Sequence, residues 1–169
     1  MTRPDSTEYA PYFEKYISLV PEGDIVATLG KQIEDTLGLL RGLSEAQGDL
    51  RYAPGKWSVK EVIGHLIDAE RIFAYRALRF ARNDQTPLSG FDENGYAANS
   101  SYGSRSLADI AEEFGLVRKS NLYLFKNLDG ESWARRGLSN DNEISVGALA
   151  YVAAGHELHH VGIIRSRYL

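Results

Sequence analysis

Cysteine is absent from this chain. That removes disulfide bonds, thiolate metal ligands and a cysteine nucleophile in one step. A basic excess is also lacking, since 19 Lys and Arg stand against 23 Asp and Glu for a net charge of −4. Without a basic patch, nucleic acid is not the expected partner. No apolar run approaches the ~18 residues that a membrane span requires, so no membrane partner is expected either. Residues 1–14 are polar and aromatic and hold no apolar segment, which argues against a signal peptide and for a cytoplasmic protein. With 169 residues, the chain has length for one sizeable core, and 1–169 is read as a single domain.

What the chain has is helical period. Pro21-Glu22-Gly23-Asp24 reads as a turn with Asp24 as N-cap, and Val26, Leu29, Ile33, Leu37 and Leu40 then form an apolar stripe that closes near Gly42. The arm before it carries Tyr9, Tyr12, Phe13 and Tyr16, too aromatic for a free tail and so expected to pack on the domain. Between Leu43 and Lys56 there is room for a short helical turn before Tyr52-Ala53-Pro54-Gly55, a turn signal. Ser58-Val59-Lys60-Glu61 is a capping box, with Trp57 placed to staple onto Val62. It opens a second helix running to about Arg82, with Val62, Leu66, Ala69, Phe73, Ala77 and Phe80 inward and His65 on the flank of that stripe.

Residues 83–105 show no sustained period. A connection this long is uncommon in a compact domain, and it suits either a lid whose Phe91, Tyr96 and Tyr102 cover a pocket, or a scaffold arm or dimer contact. Ser106 caps a third helix through Leu107, Ile110, Phe114, Val117, Leu124 and Leu128, which breaks at Asp129-Gly130. Trp133 to Asn142 is read as a plain connection. Ser145 caps a fourth helix without proline to Tyr168, with Leu149, Val152, His156, His160, Ile163 and Arg167 on one apolar face. Four amphipathic helices and no convincing strand predict an all-α four-helix bundle, and the long second connection argues against a simple up-down-up-down order.

The chemistry lies in the histidines. Burying an imidazole without a partner costs roughly 1–3 kcal/mol, so rings on an apolar face need a hydrogen bond or a metal. His156 and His160 at i, i+4 stack on one face and suit a shared ion, and His65 on a neighbouring helix can supply a third nitrogen. Taken alone, His65 reads more often as a satisfied core histidine, and the pair on the fourth helix is what brings the metal reading level with it. His156-Glu157-Leu158-His159-His160 also fits H-E-x-x-H, in which two histidines bind zinc and the glutamate is general base. That architecture takes its third ligand from further along the chain, and the nine residues after His160 include no His, Asp or Glu.

Lys56-Trp57-Ser58-Val59-Lys60-Glu61-Val62-Ile63-Gly64-His65-Leu66-Ile67-Asp68-Ala69-Glu70-Arg71 resembles the first histidine block of DinB-like proteins, and Gly155 to His160, running into Arg167-Tyr168-Leu169, resembles the second. The likeness covers nearly the whole chain. It implies a four-helix bundle with a long crossover, a divalent metal held by His65, His156 and His160, and a homodimer; His159 has no ligand role in the pattern and is expected at the edge of the site. Zinc or nickel fits such a site best, with iron, manganese or copper as alternatives. Relatives in this superfamily include thiol S-transferases, so the resemblance implies a transferase in which the metal activates a low-molecular-weight thiol for attack on an electrophilic small-molecule substrate. Two alternatives stand beside it: a metal-dependent hydrolase that uses water, and a non-enzymatic, stress-related metal-binding module. Asp68 is expected to orient His65 or take a proton, or to be a plain exposed aspartate. Glu157 is a candidate base. Arg76 is expected to hold an acidic thiol or substrate, or to pair with a buried carboxylate.

Overall fold

A computed structural model describes residues 2–169. Four long helices make the frame: α2 (Ile25–Arg41), α4 (Val59–Ala81), α6 (Leu107–Phe125) and α8 (Val146–Ile163). Short helices α1 (Glu14–Ile17), α3 (Glu45–Gly48), α5 (Glu93–Ala98) and α7 (Gly130–Ala134) fill the connections. The long helices begin where the capping signals put them. Asp24, Ser58, Ser106 and Ser145 each accept a backbone N–H of the first turn, and Glu61 completes the box by accepting from the Ser58 N–H.

α2 packs on α6 and α8, and α4 packs on the same two helices. The square therefore runs α2–α6–α4–α8: α2 and α4 sit on one diagonal and α6 and α8 on the other, and of the long helices consecutive along the chain only α4 and α6 are neighbours. This is the departure from a hairpin series that the long connections imply. The interior forms two apolar clusters. One is built around Phe73, Phe80, Leu149 and Val152, the other around Ile33, Val62, Ile63 and Phe114. Each such side chain contributes roughly 1.5–3 kcal/mol of transfer free energy when fully buried.

Three features differ from the sequence reading. First, the stretch read as a connection holds an antiparallel hairpin, β1 (Arg136–Ser139) with β2 (Asn142–Ser145). Its two-residue turn, Asn140-Asp141, has φ of 51° and 60°, the left-handed pair that a tight hairpin requires and that these two residue types tolerate. Second, α8 does not have one apolar face. Every residue from Val146 to Glu157 is buried, because α1, α2, α4 and α7 surround it, and past Ile163 it unwinds into a π-helical turn over Ile164–Tyr168. Third, α6 stops at Phe125, and the chain turns so that Asp129 caps α7.

The N-terminal arm packs as expected from its aromatics. Arg3 donates to the carbonyls of Ile17 and Val20, Tyr9 and Tyr16 are buried, and Tyr12 stays outside. α1 lies directly on α8. A Cβ at Gly155 would overlap the Tyr16 carbonyl, so the glycine before His156 is what permits this approach. The glycine before His65 has the same use: Gly64 leaves the notch that the Tyr102 ring fills. Among the described residues no helix is long and apolar enough to cross a membrane.

Candidate metal centre

His65 projects from α4, and His156 and His160 project from successive turns of α8, the helix against which α4 packs. One ligand nitrogen from each lies within 4.8 Å of the others. The Nε2 atoms of His65 and His156 are 3.0 Å apart. Two tetrahedral ligands at ~2.05 Å from one ion subtend a separation of roughly 3.3 Å, so these rings stand close to the spacing that zinc or a similar ion sets. His159 is outside this group. It is half-buried, edge-on to Tyr16 and to the His160 ring.

Electrostatics favour neutral ligands. Burial pushes His65 down to about 4. Burial, followed by repulsion from His65, takes His160 to about 3. His156 is held well below 6.5 by burial and by the neighbouring rings. Three uncharged imidazoles with their nitrogens converging, and no acid among them, form a donor set for a divalent cation with open coordination positions left over. The residues present fit such an ion. Their rings are wedged by aromatics: Trp57 lies 4.9 Å from His65, while Tyr16 and Phe73 meet His156 edge-on at 5.2 and 5.6 Å. Trp57 is itself fixed by the end of the chain, since the Tyr168 hydroxyl donates to the Trp57 carbonyl.

Neither candidate carboxylate joins the histidines. Asp68 accepts from the Tyr102 hydroxyl at 3.0 Å and sits 3.9 Å from Arg71. Three positions along a helix leave it only about 60° round from His65, but the Tyr102 ring seated over Gly64 brings its hydroxyl to this carboxylate. Burial raises its pKa, with the Tyr102 bond and Arg71 opposing. Glu157 points the other way from His156 and is 2% exposed. It accepts from Thr36 Oγ1 at 2.5 Å and makes a 2.8 Å ion contact, outside hydrogen-bond alignment, with Arg118. Arg118 in turn forks onto Glu70 at 2.8 and 3.0 Å. Burial raises the Glu157 pKa more than Arg118 lowers it. The glutamate of the H-E-x-x-H pattern is thus part of a buried charge network tying α2, α4, α6 and α8 together.

Two clefts meet at the cluster. His65 and His156 line a cavity of about 300 Å³, shared with Tyr16, Arg76, Phe91, Glu93 and Ser139. His160 lines a second of about 230 Å³ with Trp57, Asn94 and Tyr168. α5 supplies Glu93 to one and Asn94 to the other, so the 83–105 segment forms the rim between them while Tyr102 anchors it in the core. Arg76 lines the larger of these cavities, and its partner is the Ser89 carbonyl at 2.9 Å and not a carboxylate. Trp57, Glu93 and Ser139 were not marked by the sequence. Their parts depend on contacts across the fold, and only the capping box beside Trp57 left a local signal.

The DinB superfamily sequence profile matches residues 28–164. This chain belongs to the DinB superfamily. YfiT from Bacillus subtilis, described as a probable metal-dependent hydrolase with an unusual four-helix bundle topology, has the same fold with a TM-score of 0.72 at 15% identity, over 96% of this chain and 89% of that chain. No curated protein sequence matches. The all-α bundle with long helical crossovers is therefore the architecture of this chain, with the hairpin packed against α4 and α8.

Proposed function

We propose that this DinB superfamily member is a metal-dependent hydrolase of small molecules, with a divalent ion held by His65, His156 and His160. The observation that carries the reading is the convergence of three neutral imidazoles where two clefts meet, with His65 and His156 on the wall of a cavity sized for a small substrate. The likeness to YfiT, described as a probable metal-dependent hydrolase, supports it. Zinc or nickel suits the all-nitrogen donor set, with iron, manganese and copper also compatible. When bound, such an ion supplies a Lewis acid that lowers the pKa of water or a thiol at its open positions.

The chain's own residues do the rest. Tyr16, Trp57 and Phe73 hold the histidine rings in place and keep bulk water from the site. Asp68 and Glu157 are committed elsewhere, so we assign the general base to Glu93, the acid on the cavity wall, whose carboxylate would accept the proton of the attacking nucleophile. A small-molecule substrate, a cytoplasmic location and a homodimer complete the reading, with no role in nucleic-acid binding.

Thiol S-transfer is the second reading, favoured by two observations. No carboxylate is hydrogen-bonded to the three rings among the described residues, and a thiol needs less help from a base than water does because it ionises more readily. Two clefts on either side of the cluster also give a thiol and an electrophile separate entries. Loading the protein with zinc, nickel or manganese and presenting p-nitrophenyl esters, then chlorodinitrobenzene with and without a thiol, separates the readings. Metal-dependent ester hydrolysis without thiol supports the hydrolase. Thiol-dependent conjugation alone replaces it with the transferase, and a loaded protein silent in every assay leaves a metal-binding module.

A further inference from the structure

Arg76 is 6% exposed, yet no carboxylate pairs with it among the described residues. A buried guanidinium normally has an acidic partner, because an isolated buried charge is costly. One of its five N–H groups is used on the Ser89 carbonyl, which leaves donors on the same planar fork. Its outer neighbour is the Phe91 ring, 6.0 Å from the guanidinium carbon.

Ser139 stands on the same cavity wall. It is also 6% exposed, and its Oγ is buried without any hydrogen-bond partner. An unsatisfied buried hydroxyl in a native fold calls for an explanation. The two residues are locked together by backbone pairing: the Leu88 N–H donates to the Leu138 carbonyl, the Asn140 N–H donates to the Leu88 carbonyl, and Ser89 then takes up Arg76. A Cβ at Gly90 would overlap the Asn140 side chain, so the segment lies flush on the hairpin turn. The rest of the cavity lining joins apolar Phe13, Phe73, Ile144 and Leu149 to polar Tyr16, Glu93 and Asn142.

We propose that Arg76 and Ser139 form a carboxylate-binding subsite, and that the substrate is a small molecule with an apolar or aromatic body and a carboxylate at the end away from the metal centre. The guanidinium supplies charge-assisted donors, and the serine hydroxyl gains the partner it lacks. The proposal rests on the reading of the histidines as the reacting end, but the subsite itself does not need the ion.

Binding of phenylacetate and of its neutral counterpart phenylacetamide, measured by titration calorimetry on metal-loaded and on chelated protein, tests it. Phenylacetate is expected to bind roughly tenfold more tightly than the amide in both forms. Arg76→Gln is expected to abolish that preference, and Arg76→Lys to restore part of it. Ser139→Ala, which leaves the charge in place, should weaken phenylacetate severalfold and keeps the test decisive if Arg76→Gln does not fold. Equal binding of the two probes, or no binding of either, overturns the subsite. A preference that vanishes on chelation and survives Arg76→Gln also overturns it, since the carboxylate would then sit on the ion. That last result would leave the metal reading standing, whereas a protein that takes up no metal but prefers phenylacetate would do the reverse.

Discussion

Arg118→Met and Glu157→Gln perturb one buried network from its two ends, with unequal expected consequences. Arg118 is 1% exposed, and the two carboxylates around it, on Glu70 and Glu157, are 4% and 2% exposed. Removing the guanidinium leaves both acids in a dry interior and strips Gln32 Oε1 of its donor. Breaking a buried pair from one side costs about 3–5 kcal/mol, and here two acids lose their counter-charge. Against a total stability on the order of 5–15 kcal/mol, Arg118→Met is expected to leave the protein largely unfolded or nearly so. Glu157→Gln instead removes one of two negative charges that share a single positive one. The amide oxygen can still accept from Thr36, and Arg118 keeps its fork on Glu70. A change within about 2 kcal/mol is expected. Urea denaturation at constant m-value measures both, and metal content and turnover are read on the same samples. If Glu157 were the base of an H-E-x-x-H site, the glutamine variant would lose roughly 10²–10⁴ in rate at unchanged stability. A folded, metal-loaded Glu157→Gln protein with a loss of that size would refute the structural assignment, and equal destabilisation by the two variants would refute the charge accounting.

Gly155→Ala forces a methyl group into the Tyr16 carbonyl, which is backbone and cannot rotate aside; α1 must move, for a loss of about 1–3 kcal/mol and weaker metal retention, and an unchanged melting temperature with unchanged metal affinity would contradict the close packing. For the metal-free protein, the folded rings of His65 and His160 titrate near 4 and 3 and that of His156 well below 6.5, while the unfolded chain titrates near 6.5. Above about pH 6.5 both states are neutral and nothing is lost. As pH falls from there towards 4, the unfolded chain takes up protons that the folded rings refuse, and stability should drop by on the order of 1 kcal/mol per pH unit for each ring. Denaturation midpoints of chelated protein across that range check this, and a flat profile would mean that the rings are not buried as neutral groups.

The parts of this architecture set by short-range chemistry were legible in the sequence, and those set by distant contacts were not. Asp24, Ser58 and Ser145 announce helix starts because a cap needs only the three residues that follow. The histidines were legible as candidates because i, i+4 spacing and a conspicuous block around His65 survive without coordinates. Glu157 was ambiguous: five residues of local pattern suggested a base, and the Arg118 that occupies it belongs to another helix. The 83–105 segment lacked period because its shape comes from elsewhere, from Tyr102 filling the Gly64 notch and Leu88 pairing with the hairpin. The hairpin itself had a readable turn in Asn140-Asp141, but its four-residue strands are too short for alternation to show. Ser139 left no trace in sequence, since its interest lies in the partner it does not have.

Metal stoichiometry tests the central assignment most directly. Protein loaded with zinc, desalted and analysed for bound ion should carry about one equivalent per chain, and His159→Ala should match it. His65→Ala, His156→Ala and His160→Ala should each lose the ion while circular dichroism shows the helices intact. Wild-type zinc content in His65→Ala and His160→Ala would contradict the account, because the three rings that meet across α4 and α8 would then not be what holds a metal.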